Sequence, residues 1–419
     1  MPRKLRLGRL GFAATVAALL GLLALPASAA APPPGSLDPS WGGGTGYVTG
    51  STSYPGVQGL VMQGSKVVVV GGDVYSHNGD FVVSRYNKDG SPDTSFGGTG
   101  TVETDFGDRV DLASGVALQG NKIVVVGYTC SDDSFTECQF AVARYLKNGT
   151  LDASFNGTGQ VMTSFGDGQD FADAVLVKSN KITVAGYADG DFALAQYQSS
   201  GALNTAFDSD GLVTTDFDGG FDAANAIASQ GSFLVVAGYA NHPDPDFALA
   251  RYESDGDLDT AFGGGTGKVE TDFDGGADAG HSVDVKGKSI VVVGSATVGH
   301  QQFAAARYDK NGNLDPSFNG TGTATMDVGS DAVAFDGTLA GGKVVAVGQT
   351  CFSCLPGNEF GVARWNSNGT PDSGFGTNGF VTTPVGGDDS GASAVAVASG
   401  KIVVGGYSDD FFAIARYIG

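Results

Sequence analysis

The chain has 419 residues, 68 of them glycine, with 23 basic against 45 acidic side chains and a formal charge of −22. Glycine at roughly twice the ordinary ~7% demands many tight turns, and the valine-rich runs between the glycines exclude a disordered chain. The strong acidity excludes a phosphate backbone as ligand, so no nucleic-acid partner is expected.

The chain opens with a basic stretch, "MPRKLRLGR", then the apolar "AATVAALLGLLAL", too short for a comfortable membrane span. "ASA" at Ala27–Ala29 supplies the small residues of a cleavage site. Residues 1–29 therefore read as a signal peptide. The peptide holds four basic residues and no acid, so its removal moves the charge from −22 to −26. "APPPG" reads as a stiff linker within residues 30–36, and residues 37–419 as one domain. No second apolar segment follows. The expectation is a secreted, soluble, extracellular monomer with no membrane span.

From residue 36 onward the chain repeats. The acidic position of "LD", or its variant, falls at Asp38, Asp93, Asp152, Asn204, Asp259, Asp315 and Asp372, in steps of 55, 59, 52, 55, 56 and 57 residues. A second marker, "RY" or its variant, ends at Tyr86, Tyr145, Tyr197, Tyr252, Tyr308, Trp365 and Tyr417. Each unit carries four strand-like segments. In the second unit these are "ASGVALQG", "NKIVVVGY", "QFAVARY" and "GQVMTSF", here called A to D. The B segments are nearly continuous apolar runs, as expected of strands buried on both faces. The C segments alternate more strictly.

Seven units of four short strands predict an all-β fold: a seven-bladed β-propeller of four-stranded blades. The last unit stops after strand C at Tyr417, and an orphan strand D, "GYVTG", stands at Gly46–Gly50. The N-terminal strand is therefore expected to join the last blade and close the ring without a free edge.

The pattern "G-x-L-D-x-S-F-x-x-x-G", a valine-rich strand ending in Gly, and "D-F-A-x-A-R-Y" resembles the delta-60 repeat family of exported bacterial proteins. The match departs at Gln196, Asn204, Pro92 and Pro371. The resemblance implies a β-propeller of unsettled function and supplies no catalytic residues. Analogy with other propellers places strand A innermost.

Alternating strand direction sorts the loops onto two ends. The C-to-D turns, such as "DGDLDTAF", are nearly uniform. They read as scaffold, with type I′ turns at Asn-Gly or Asp-Gly and the "LD" acid capping backbone or pairing with the "RY" arginine. Alternating oxygens in "DKNGNLD" (Asp309, Asn311, Asn313, Asp315) and "ESDGDLD" raise calcium as a weaker alternative. The D-to-A loops at the other end offer Asp216, Asp218 and Asp222, and Asp272, Asp274 and Asp278, at offsets 0, 2 and 6. Calcium is the one cofactor this suggests. The B-to-C loops vary most, and variable loops on a rigid scaffold are where binding is placed. Candidate ligand-binding residues on this face are Tyr75, His77, Phe135, His242, His300 and Phe352 in the B-to-C loops, and His281 at the start of an inner strand.

The four cysteines lie in two of these loops, in non-adjacent blades. An oxidising compartment then favours the local pairs Cys130–Cys138 and Cys351–Cys354. With no unique acid–base set in view, the function expected is a non-catalytic binding module for an extracellular protein or carbohydrate, acting through the B-to-C and D-to-A loops. The alternatives are a calcium-stabilised structural or cell-surface component and a polysaccharide-acting hydrolase or lyase.

Overall fold

The computed structural model describes residues 31–419 except 54–55, 73–78, 108–109, 132–133, 167, 242 and 351–356. The expected signal peptide lies outside the described residues. Seven four-stranded antiparallel sheets make up the fold, six of them in simple A-B-C-D order. Blade 3 is representative, with strands Asp170–Lys178, Lys181–Ala188, Asp191–Tyr197 and Leu212–Thr215. Blade 7 takes A, B and C from the C-terminus (Ser390–Ala398, Lys401–Ser408, Phe411–Ile418) and its outer strand, Tyr47–Ser53, from the N-terminus. Ring closure is thus as expected. Among the described residues the only helical turns are two three-residue 3-10 turns, Gly42–Gly44 and Gly263–Gly265, and no helix is long and apolar enough to cross a membrane.

The core lies between blades rather than within them. Ile182 to Gly186 of strand B are buried without a break because a neighbouring sheet covers each face. One interblade core packs Phe192, Leu194, Phe207 and Phe217 of blade 3 against Leu234, Val236, Ala248 and Tyr252 of blade 4. Residues expected to be linker also contribute backbone pairing: Gly35 N–H donates to Ile418 O, and Ile418 N–H to Ser36 O.

The two sequence markers meet in one lock. In blade 2, Arg144 Nε donates to Asp152 Oδ2 at 2.8 Å, and Arg144 lies over the Phe155 ring at 4.6 Å. The other Asp152 oxygen caps Ser154 N–H and hydroxyl. Arg144 then reaches across to Ser199 O in the next blade. The same triad recurs as Arg85–Asp93–Phe96, Arg251–Asp259–Phe262, Arg307–Asp315–Phe318 and Arg364–Asp372–Phe375. Both expected roles of the "LD" acid are therefore real. Blade 3 replaces both partners at once: Asn204 Nδ2 donates to Gln196 Oε1 at 2.7 Å. A second link runs the other way around the ring. Tyr145, Tyr197, Tyr252 and Tyr308 each donate their hydroxyl to a threonine on the preceding blade's outer strand, at 2.7–2.8 Å.

Closure uses the same chemistry between chain ends. Arg416 Nε lies 2.9 Å from Asp38 Oδ2, Lys401 joins at 3.1 Å, and Trp41 takes the ring position beneath Arg416. Burial alone would raise the Asp38 carboxyl, but Ser40, Lys401 and Arg416 outweigh it and hold it at about 2.

One local expectation is corrected. The C-to-D turns are not type I′, which needs positive φ at two successive residues. Asn148 keeps negative φ and only Gly149 is left-handed, at 91°. Leu146 N–H donates to Thr150 O and Gly149 N–H to Leu146 O, so the loop is longer than a two-residue hairpin. A Cβ at Gly149 would stand 2.9 Å from Gly97 N of the preceding blade, so glycine serves interblade packing as well as φ.

Two outcomes follow. Arg144→Met leaves Asp152 with Lys122, at 2.6 Å, as its remaining cation and removes the donor to Ser199 O of the next blade, so it should cost about 1–3 kcal/mol in denaturant unfolding. The paired change Arg144→Gln with Asp152→Asn, copying blade 3, should cost clearly less; equal loss would show that charge, not pairing, is what the lock requires. Asp38 titrates below its unfolded value near 3.8, so its contribution is present above pH 4 and lost as pH falls toward about 2. An Asp38→Asn, Arg416→Gln chain should show a flatter loss of unfolding midpoint over that interval.

Candidate functional site

The uniform end of the ring is occupied by the locks. In the proposed calcium loop, Asp309 Oδ1 accepts the N–H groups of Asn311 and Asn313, and Asp315 holds Ser317 and Arg307. These oxygens cap turns and build the scaffold.

At the other end three features converge. The first is acidic. Four of the D-to-A loops end on a buried Asp whose Oδ2 accepts the N–H of the loop phenylalanine: Asp111 from Phe106, Asp170 from Phe165, Asp222 from Phe217 and Asp278 from Phe273, at 2.6–2.8 Å. In the loop into blade 7 the Ser390 hydroxyl accepts from Val385 N–H instead. At three junctions this Asp belongs to a trio whose oxygens lie within 4.8 Å of one another: Asp80–Asp105–Asp111, Asp191–Asp216–Asp222 and Asp246–Asp272–Asp278. The offsets 0 and 6 expected from sequence do come together. The third member is the Asp that opens strand C, which the sequence reading missed. Asp218 and Asp274 stay outside the trios: Asp218 occupies a left-handed position at φ 77°, and Asp274 N–H folds back onto Asp272. Burial first, then the neighbouring acids, push Asp111 up to about 6.

The second feature is aromatic. Phe135, Tyr128, Phe171, Tyr187, Phe221 and Tyr239 form an unbroken chain of ring contacts across blades 2, 3 and 4, with centroid spacings of 6.3, 4.5, 5.0, 5.1 and 6.3 Å. The tyrosines close strands B, where the chain reads "GY". Phe171 and Phe221 open strands A. Phe221 is 39% exposed. Phe135 is held by its loop. The Cys130–Cys138 disulfide ties the strand ends, and Phe135 O accepts from Gln169 of blade 3. Burial first, and then the nearby Asp173 charge, raise Tyr128 to about 12 and Tyr239 above its usual value.

The third feature is the central channel, a cavity of about 250 Å³ walled by strands A. Six of these strands skip one residue in register with strand B: Ser114, Asp173, Asn225, His281, Phe335 and Ser393. A bulge leaves its extra residue unpaired and re-aims its side chain. Asp173, Asn225, His281, Phe335 and Ser393 line the cavity, with Gln58 from blade 1 and Asp336 one place further along blade 6. The repeat thus yields a ring whose members differ chemically. Burial pushes Asp173 up to about 7 and lowers His281 to about 4, so that imidazole is neutral. Asp336 is also raised to about 7 by burial, although Val395 and Gly337 N–H groups donate to it.

Of the residues expected from sequence, Phe135 sits at one end of the aromatic arc. His281 lies on the inner strand expected for it and lines the channel, with Nδ1 3.4 Å from Asn225 Nδ2. His300 opens strand C of blade 5, with Nε2 3.2 Å from Asp327. These three do not form one cluster. Tyr75, His77, His242, Phe352 and the Cys351–Cys354 pair lie outside the described residues.

A family model described as "Domain of unknown function (DUF5122) beta-propeller" matches residues 65–96, 121–155, 178–207, 234–262, 288–318 and 342–375. No curated protein matches the chain. Solved structures similar to it include the computationally designed Ika8 protein, at 13% identity over 88% of this chain and 98% of that one, with a TM-score of 0.46. BamB from Moraxella catarrhalis is 13% identical over 87% of this chain and 85% of its own, with a TM-score of 0.45. The beta-propeller domain of the Trilobed protease from Pyrococcus furiosus is 11% identical over 87% and 96%, also at 0.45. Likeness at this level carries no functional argument.

The channel makes a pH-dependent prediction. Asp173 has a raised folded-state pKa, so its contribution is fully present below the unfolded value near 3.8 and is lost as pH rises through about 7. Asp173→Asn should remove that decline from the thermal midpoint measured between pH 4 and pH 8. An unchanged slope would place the carboxyl in bulk water.

Proposed function

We propose, for a chain that is a β-propeller repeat protein, that it acts outside the cell as a non-catalytic binding module through the end carrying the D-to-A and B-to-C loops. The carrying observation is the difference between the two ends. One end spends its arginines and "LD" acids on a lock repeated from blade to blade. The other holds the irregular loops, the aromatic arc and the chemically unequal channel ring. Export is supported by the N-terminal sequence pattern and by the delta-60 resemblance. A disulfide at the loop end suits an oxidising compartment.

The reading is tested by immobilising residues 30–419 and screening extracellular proteins and glycans. A ligand found this way should lose at least about tenfold affinity when Ser131–Glu137 is replaced by the short Asp-Gly turn of blade 3, and keep it in Asp315→Asn at the lock end. Binding indifferent to the loop replacement would remove the assignment of this end.

Calcium is a second reading, favoured by the three carboxylate trios. Carboxylates at that spacing suit a hard cation, though both oxygens of Asp222 and of Asp278 already accept N–H groups. Calcium added after chelation should raise the melting midpoint of the native chain and not of an Asp191→Asn, Asp216→Asn variant. No rise in the native chain would discard this reading.

A further inference from the structure

We infer that the aromatic arc of blades 2–4 docks a cationic segment of a protein partner, with Lys or Arg side chains set against its rings and held by the surrounding acids. The inference rests on the binding-end reading above and adds the chemistry of the ligand.

The first observation is the arc itself. It is a continuous line of six rings, half-buried or exposed, on three adjacent blades. Phe221 is the one aromatic among the large exposed apolar side chains of the described residues.

The second observation is how charge is divided between the two ends. Every described Lys and Arg lies in an A-to-B or C-to-D turn or at the strand ends beside it, apart from Lys268 on an outer strand. Lys268 reaches back to Asp216 O. The remaining basic residue of the domain, Arg109, lies outside the described residues. The opposite end carries Asp80, Asp105, Asp189, Asp191, Asp216, Asp218, Asp244, Asp246, Asp272 and Asp274, among others. The molecule is therefore polarised along its ring axis, with its negative pole surrounding the arc. Such a field draws cations in and repels polyanions.

The third observation concerns the arginines. All six described arginines lie over a ring at the lock end, at 4.3–5.0 Å, and each is paired with an acid there. Among the described residues no cation–ring pair involves a ring of the arc. Lys268 stands over one loop-end ring, Phe217, at 5.2 Å. The arc itself holds rings beside acids, the two halves of the lock, and on this inference takes its cation from the partner. A guanidinium or ammonium over a Tyr or Phe face gains from the ring quadrupole as well as from the acids. A neutral glycan would gain nothing from the negative rim.

The test measures binding of fluorescein-labelled octa-arginine to residues 30–419 at 50 and 500 mM NaCl. Tyr187→Leu with Phe221→Leu changes no charge. It should weaken binding at least about tenfold at both salt concentrations, with an unchanged circular dichroism spectrum. Asp189→Asn with Asp216→Asn should weaken binding chiefly at low salt, where charges are poorly screened. If the double aromatic change fails to fold, Phe221→Leu alone serves, its ring being partly exposed, with a severalfold loss expected. Unchanged affinity in the aromatic variants overturns the inference, because the probe would then be held by diffuse charge alone. Arc-dependent, salt-insensitive binding of cellohexaose without octa-arginine binding overturns the cationic class and leaves the binding end standing. Ligand loss only on Asp315→Asn overturns both.

Discussion

The Arg–Asp pair between "RY" and "LD" is the interaction on which the ring depends. Its arginine is buried to within a few per cent in most blades, stands over the turn's own phenylalanine and reaches a carbonyl of the next blade. One side chain thereby fixes the turn, seats an aromatic in the core and sets the spacing to its neighbour. A buried guanidinium left without its carboxylate is costly, so the arginine makes the acid obligatory, and in four blades a lysine (Lys66, Lys122, Lys343 or Lys401) also contacts that acid. Blade 3 shows the same constraint without charge. Gln196 and Asn204 change together and keep the hydrogen bond, so what the position requires is a satisfied polar pair.

Closing the circle puts this constraint under its greatest demand. Asp38 and Arg416 come from opposite ends of the chain, and their pairing costs the closure entropy of almost the whole domain. The closing blade is nevertheless built like the others, with Trp41 under the arginine and Lys401 as a second cation. Once stability is concentrated in the locks and the interblade cores, the opposite loops are relieved of it. They differ in length and composition while the strands beneath them stay in register.

Much of this architecture is legible in the repeat. Seven units, apolar B strands and the missing outer strand of the last unit lead directly to the ring and to its closure. The local pair Cys130–Cys138 is legible because its spacing brackets one loop between two strands that must pair. The turn geometry is less so: Asn-Gly and Asp-Gly suggest a two-residue hairpin, and the lock builds a longer one around the left-handed glycine alone. The carboxylate trios were half visible. Two members share a loop, but the third, such as Asp191, arrives through the hairpin that follows strand B.

What the sequence by itself determined is everything written with a period: the blade count, the strand order within a blade, the pairing of its two markers and the way the ends meet. A pattern repeated seven times averages over local accident. The aromatic arc and the channel ring were decided only by tertiary structure. Tyr187 and Phe221 lie at unlike positions of different units, and stacking the blades brings their rings to 5.1 Å. Asp173, Asn225 and His281 face one channel because a bulge shifts each inner strand by one residue, and a period-two reading cannot see that shift. Chemical asymmetry between blades therefore arises where the repeat ends and the contacts between blades begin.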